Sequence, residues 1–383
     1  MAATPARTAK IAALADLLRR LAPDEVEPTV GFLVGEPRQG RIGVGWATLA
    51  KGIAARRAGA TDSGDRSSRE SGTIRHQNED TEPIAITELD RALTQLAGTT
   101  GAGSVGARAQ LIDSLLARAT AAEMDFIADL LTGGLRQGAL EGVMAEAVAK
   151  AAEVPAAVVR RACMLAGDLG HTAAIALSEG REGLEAVGLE VLRPIGPMLA
   201  STAPDVAAAI KDLGRASVEW KLDGVRLQVH KRGDEVRIFT RNLNDITDRM
   251  PEVVEVIRGL PVDQVVLDGE GLTMSEEARP QPFQDTMSRV GRRSTRRQSA
   301  TPEAGQPPDG RVGRRTGEPT ASVGAHFFDC LHLDGEDLLD RPLLERLAAL
   351  ERVAGPWRIP GEVTDDPAAA EEVLRASLAA GHE

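Results

Sequence analysis

Tyrosine is absent from this chain, and its 383 residues include only three tryptophans and six phenylalanines. So few rings leave little for stacking, and any core must be built from Leu, Val, Ile and Ala, which the 42% hydrophobic content supplies. Cysteine is nearly missing too. Cys163 and Cys330 lie far apart and fit no metal-ligand spacing, which excludes a disulfide scaffold and points to a reduced, cytoplasmic setting. No apolar run approaches the roughly 18 residues of a membrane span, and the opening MAATPARTAKIAALADLLRR has no signal-type core. Neither a membrane nor export is expected. A surplus of positive charge is also lacking: the formal net charge is −12, so any polyanion must be met by local basic patches. G-x-G-x-x-G and Walker-type lysine loops do not occur, which excludes those two ways of cradling nucleotide phosphates.

The length fits two or three domains. Residues 1–190 read as helical. Ile11–Leu21 has apolar residues at helical spacing, and Asp24 is placed to cap a second helix through Phe32. Thr120-Ala121-Ala122-Glu123 is a capping box ahead of Met124, Phe126, Ile127 and Leu130, and Gln137–Ala152 and Pro155–Leu165 continue the pattern. One echo stands out within this half. Leu33–Gly40 and Leu131–Gly138 each run from a helix end through glycine to Arg-Gln-Gly, with Arg38 and Arg136 at matching places. Backbone amides at such a turn, with an arginine beside them, suit a phosphate as well as they suit an ordinary helix–helix turn. Residues 54–83 are almost without apolar side chains and are expected to be a flexible insertion. Proline-marked residues 191–202 read as a linker, and beyond it strands alternate with helices in an α+β pattern with a mostly antiparallel sheet. There Asp205–Leu213, Met250–Gly259 and Pro342–Val353 (capped by Asp340) read as helices, and Gln264–Glu270 and Ala325–Leu331 as strands. An arginine-rich stretch, about 289–320, is a second expected insertion.

The stretch Ser217–Thr247 carries the sharpest signal. Val225, Leu227 and Val229 alternate with Arg226, Gln228 and His230, then Lys231-Arg232-Gly233-Asp234 supplies a turn, and Val236, Ile238 and Thr240 alternate back. If the strand extends upstream, Glu219 and Lys221 share one face, and Trp220 and Leu222 the other. After Glu219-Trp220-Lys221-Leu222-Asp223-Gly224 come Thr240-Arg241-Asn242, then Leu267-Asp268-Gly269-Glu270, then Phe327-Phe328-Asp329 running into Asp334-Gly335-Glu336. Singly each tetrapeptide is a common turn or strand end. In this order they resemble the motifs of the covalent nucleotidyltransferases, most closely the ATP-dependent DNA ligases of bacterial and archaeal type.

The resemblance implies an all-helical DNA-binding domain (1–190), a linker (191–202) and an adenylation domain (203–383). Lys221 would take AMP from ATP as a phosphoramidate, lysine being the residue type in its motif that can do so. Its amine must lose a proton first, which the nearby Arg226 and a bound metal would favour. AMP would pass to a DNA 5′-phosphate, and a 3′-hydroxyl would then seal the nick. Glu219 would fix the adenine edge or orient the lysine. Arg226 and Arg241 would contact phosphate or ribose, Glu270 would accept from a ribose hydroxyl, and Phe328 would stack on adenine. Arg38 and Arg136 would touch the backbone of nicked duplex DNA. Mg²⁺ would be held by Glu383, which stands where the family's fourth motif has its glutamate. The sequence stops there, so the expectation is a monomeric, cytoplasmic, nucleoid-associated bacterial ligase of repair, replication or recombination. It is expected to be truncated before the paired lysines of the fifth motif and the oligonucleotide-binding domain, and therefore impaired in adenylation. An RNA ligase or capping enzyme, or a DNA-binding remnant without chemistry, are the alternatives.

Overall fold

The computed structural model describes residues 6–40, 42, 49, 53, 83–135, 141–198, 200–273 and 323–382. Arg136, Glu383, the 289–320 stretch and all of 54–83 except Pro83 lie outside them. The chain divides into two compact units, Met1–Gly188 and Leu189–Glu383.

The first unit is helical throughout its described residues: Arg7–Leu18, Pro23–Val34, Ile86–Gly98, Ser104–Arg118, Ala121–Thr132, Glu141–Ala152, Ala156–Ala166, Leu169–Ser178 and Gly180–Glu185. The capping box forms as its spacing demands. Thr120 Oγ1 accepts from Glu123 N–H at 3.3 Å, and Glu123 Oε2 accepts from Thr120 N–H at 2.8 Å. The second carboxylate oxygen accepts from Ile84 N–H at 2.9 Å, so one glutamate also fixes the approach to helix Ile86–Gly98. The expected cap at Asp24 is not made. Pro23 takes the first helical position, where its missing N–H costs nothing, and Glu25 reaches back to Ala22 N–H at 3.0 Å. Among its described residues two apolar clusters fill this unit. One surrounds helix Glu141–Ala152, which buries Val143, Met144 and Val148 against Leu14, Leu18, Val26, Val30 and Val159. The other joins Phe32, Leu93, Leu96, Ile112, Leu116 and Ile127.

The second unit is α+β and antiparallel. Strands β1 (Ala216–Glu219), β2 (Val225–Arg232), β3 (Glu235–Thr240), β4 (Gln264–Thr273), β5 (Val323–Leu333), β6 (Glu336–Asp337) and β7 (Gly361–Thr364) form two sheets, ordered β3-β2-β4-β5-β6 and β1-β7. The expected hairpin is β2–β3, with Gly233 at φ +58° in a two-residue turn between Arg232 and Glu235. Lys231, expected in that turn, instead lies in the strand and is buried. Its ammonium donates to the carbonyls of Leu260 and Val262 at 2.7 and 2.6 Å, which satisfies a charge that the core edge would otherwise expel. The strand also does not continue upstream. β1 pairs with β7 in the smaller sheet, and residues 220–224 are a connecting loop, so Trp220 and Leu222 do not line a face of β2. Instead both join one small apolar cluster.

One face of the five-stranded sheet is the core. Val225, Leu227, Val229, Ile238, Val265, Leu267 and Phe327 pack on helices Pro251–Arg258 and Leu343–Ala354 through Val253, Ile257, Leu347, Leu350 and Val353. Asp205 caps helix Val206–Leu213 by accepting from Ala208 N–H at 2.7 Å. The helix after β6 is entered through Pro342, with no side-chain cap, rather than through Asp340. Among the described residues no helix is long and apolar enough to cross a membrane.

Candidate active site

The face of the sheet opposite the core is polar, and its register gathers the motif residues at one end. Arg226 of β2 lies opposite Glu270 of β4, which lies opposite His326 of β5. Leu227 pairs with Thr240, so Arg241 is the first residue past the end of β3, level with Arg226, and it is exposed. The loop carrying Lys221 enters β2 at this same end. Its fit depends on Gly224: a Cβ there would stand 2.3 Å from Gly271 O, so only glycine lets the loop settle onto β4. Gly224 N–H bonds the Glu270 carboxylate, and the charge of the exposed Lys221 acts on the same carboxylate. Burial nevertheless pushes Glu270 up to about 7.

Asp268-Gly269, expected to close a strand, lies inside one, because β4 runs on to Thr273. Gly269 is required there by close approach, since a Cβ would meet His326 O at 2.3 Å. The reason is a bulge in β5. Gly269 pairs with Phe327 and Asp268 with Asp329, leaving Phe328 as the extra residue. The bulge turns the half-buried Phe328 ring toward the polar face, where it packs with Trp220 against Leu222, Leu272 and Ile359. Two successive phenylalanines thus divide: Phe327 fills the core and Phe328 serves the other side.

Arg226 is not a free hand for phosphate. Its Nε and Nη2 donate to Asp268 Oδ1 and Oδ2 at 3.1 and 2.7 Å, its Nη1 donates to Met198 O at 3.3 Å, and its guanidinium carbon stands 5.5 Å from the centre of the Phe328 ring. The fork is spent on protein, and the cation lies over an aromatic face. The charge expected to act on Lys221 is therefore neutralised locally. Hydrogen bonding to Asp268 holds the guanidinium above its ordinary value, while burial pushes the Asp268 carboxyl up against the pull of Arg226. Glu219, at the end of β1, accepts from Ser217 Oγ at 2.8 Å, and burial pushes its carboxyl up as well.

In the helical unit, Arg38 is likewise engaged. Its Nε donates to Asp90 Oδ1 at 2.7 Å and its Nη2 bonds Oδ2, while Gln39 Nε2 reaches Asp90 Oδ1 at 2.7 Å and Thr94 Oγ1 at 2.9 Å. The Arg-Gln pair after the glycine thus docks its own turn onto helix Ile86–Gly98. About half of the arginine side chain remains exposed.

Among the described residues no group of three His, Cys, Asp or Glu side chains could hold a metal ion, and Asp268 is committed to Arg226. Glu383, the expected Mg²⁺ ligand, lies outside the described residues. Two hollows lie away from this face, one lined by Phe32, Ile86 and Phe126 and the other by Pro261, Leu333 and Val353. Sequence reasoning assigned no role to Asp268, Gln228, His230 or Ile359. Polar residues at alternate positions of β2 were legible, but not that another segment covers them.

Residues 1–149 match the family described as DNA ligase N terminus, and residues 197–383 match ATP dependent DNA ligase domain. A protein named "Probable DNA ligase" from Pseudarthrobacter chlorophenolicus is 47% identical over 383 residues, covering all of this chain and 67% of its own. One of the same name from Rhodococcus jostii is 46% identical over 382 residues, with the same shares. The chain thus spans about two thirds of the length of these relatives. A solved structure titled "Pmar-Lig_Pre." aligns with all of this chain and 70% of its own at 17% identity and a TM-score of 0.47, too low to add to the argument. Two family matches and similarity along the whole of this chain to named relatives, on a helical unit followed by an antiparallel α+β unit, identify this chain as a member of the ATP-dependent DNA ligase family.

Proposed function

We propose that Lys221 is the adenylated residue of a nick-sealing reaction. The lysine Nζ, once deprotonated, attacks the α-phosphorus of ATP. A P–N bond forms, the bond to the bridging oxygen breaks, and pyrophosphate leaves. A 5′-phosphate oxygen at a nick then displaces the lysine to give a DNA adenylate, and the adjacent 3′-hydroxyl displaces AMP. The observation that carries this reading is the grouping of Lys221, Glu270 and Phe328 at one end of the sheet, with Gly224 fitted onto β4 to hold the loop there.

In this reading Phe328 offers its ring to adenine, and Glu270 accepts from a ribose hydroxyl when ionised. Glu219, half-buried beside the loop, orients the base or the lysine. Arg241, exposed and unlike Arg226 not spent on a carboxylate in the sheet, is the better placed of the two for phosphate. Arg226 is assigned a supporting role: it backs Phe328 and neutralises Asp268. Mg²⁺ would accompany the triphosphate, held mainly by its phosphates with one or two carboxylates. Nicked duplex DNA is the proposed substrate and a cytoplasmic repair or replication setting the proposed context. The helical unit is the proposed duplex-binding part. Arg38 acts there by shaping its turn, and Arg136 is left as the candidate for direct phosphate contact.

The test is incubation with α-labelled ATP and Mg²⁺ followed by denaturing electrophoresis. Label on the native chain that is lost in Lys221→Ala is the expected result. Label surviving in Lys221→Ala would move the nucleophile elsewhere, and no label on the native chain would favour a DNA-binding protein without chemistry.

A further inference from the structure

The polar face of β2 is covered, and what covers it is the segment that leads into the second unit. Arg226, Gln228 and His230 project from one face at alternate positions. Each grips backbone from residues 192–198. His230 Nδ1 accepts from Leu192 N–H at 3.0 Å, and Gln228 Oε1 accepts from Ile195 N–H at 2.7 Å. Gln228 Nε2 donates to Ile195 O at 3.1 Å, and Arg226 Nη1 donates to Met198 O at 3.3 Å. The segment belongs to no strand, so these side chains do for its backbone what a neighbouring strand would otherwise do.

The network is fully determined. Gln228 Oε1 lies 2.8 Å from His230 Nε2, and an amide oxygen can only accept, so Nε2 carries the proton and Nδ1 is left bare for Leu192 N–H. The imidazole is neutral in this arrangement. Burial lowers its proton affinity, with His332 adding to the effect, and Phe239 meets the ring edge-on at 5.3 Å. His230, Gln228 and Ile195 are 0%, 6% and 2% exposed, so none of these bonds is replaced by water at low cost. Leu192 is held at φ +79°, a left-handed conformation that leucine avoids unless its surroundings impose it. Strain and a buried polar lock coincide on one strap, and its far end is tied to Arg226, which backs Phe328.

We infer that residues 192–198 form a positioning strap for the adenylation site, with Gln228 and His230 as positioning residues that act through Arg226. This rests on the reading of the site given above. The strap and Asp268 hold the guanidinium from two directions, and together they fix the platform that Phe328 presents to the base. Loosening the strap would then let Arg226 and the ring shift while leaving Lys221 itself untouched.

The test uses the whole chain and three variants: Gln228→Met, close in size but without polar atoms, Arg226→Ala, and the double variant. ATP affinity is measured by calorimetry, and backbone hydrogen exchange is followed in the peptide spanning 190–198. Gln228→Met is expected to speed exchange in that peptide and to weaken ATP binding about tenfold, the usual cost of losing buried hydrogen bonds. The double variant should bind no more weakly than Arg226→Ala, because the strap acts through Arg226. Additive losses, or faster exchange with unchanged ATP affinity, would overturn the inference. If Gln228→Met does not fold, His230→Gln keeps the link to Gln228 while freeing Leu192 N–H. It should lose about threefold in affinity, and no loss would count against the strap. Failure of the native chain itself to bind ATP would sink the site reading, and this inference with it.

Discussion

The same ion pair is built twice in this chain, once in each unit. Arg38 grips Asp90 with both prongs of its fork, and Arg226 grips Asp268. The two carboxylates are equally covered, each 9% exposed, yet their proton affinities move in opposite directions. Burial pushes Asp90 up, but the hydrogen bonds from Arg38 and Gln39 outweigh it and hold the carboxyl below its ordinary value. At Asp268 burial wins over Arg226, because the carboxylate sits on the middle strand of a sheet with Asp329 adding a like charge. The arginines differ in the same sense, 47% exposed for Arg38 and 27% for Arg226. An identical contact is thus a surface clasp in one unit and a buried, costly pair in the other. The depth of the surroundings sets the difference.

Removing one partner is the harshest way to break the comparison. Asp268→Ala strands a half-buried guanidinium beside Phe328 and is expected to cost about 3–5 kcal/mol. Asp90→Ala leaves a half-exposed arginine that water can serve, at a cost nearer ~1–2 kcal/mol. Denaturant melts followed by far-ultraviolet circular dichroism would check both, and equal losses would deny the contrast.

A pH series sharpens the comparison next. Glu270 has its folded value raised to about 7, above its ordinary 4.5, so between those values the folded state binds more protons than the unfolded one. Stability contributed by this group is therefore present below that window and lost as pH rises through it. Glu270→Gln removes the penalty, and the variant should melt about 2–4 °C higher than the native chain at pH 8, with no gain at pH 4. A gain independent of pH would point to packing instead.

The smallest expected effect belongs to the helical unit, where local chemistry suffices. Thr120→Ala breaks the capping box and should cost about 1 kcal/mol, measured by the same melts. A much larger loss would mean that Glu123, freed from Thr120, also gives up its hold on Ile84 N–H.

Legibility followed the range of the interactions. The capping box at Thr120, the Gly233 turn and the alternation of β2 rest on neighbours a few residues apart, and each formed where its spacing placed it. Lys231 was misplaced because its two acceptors, Leu260 and Val262, come from a loop about 30 residues on. Trp220 and Leu222 were set on a strand face because the pattern did not reveal that β1 leaves for a partner at Gly361–Thr364. Arg226 looked available for phosphate because the acid that holds it is distant in sequence. Asp268, 42 residues away, occupies it.

By itself the sequence determined the order of the motifs, the change from helical to antiparallel α+β construction, and the lysine on which the proposed chemistry turns. Spacing and residue type carry those facts through short-range hydrogen bonding and side-chain period. Only the tertiary structure decided which charges are spent on one another, which of two adjacent phenylalanines faces the polar side, and that a strained strap lies locked across β2. Those outcomes depend on pairings and a bulge between segments far apart in the chain, where burial, and not local pattern, sets the energy.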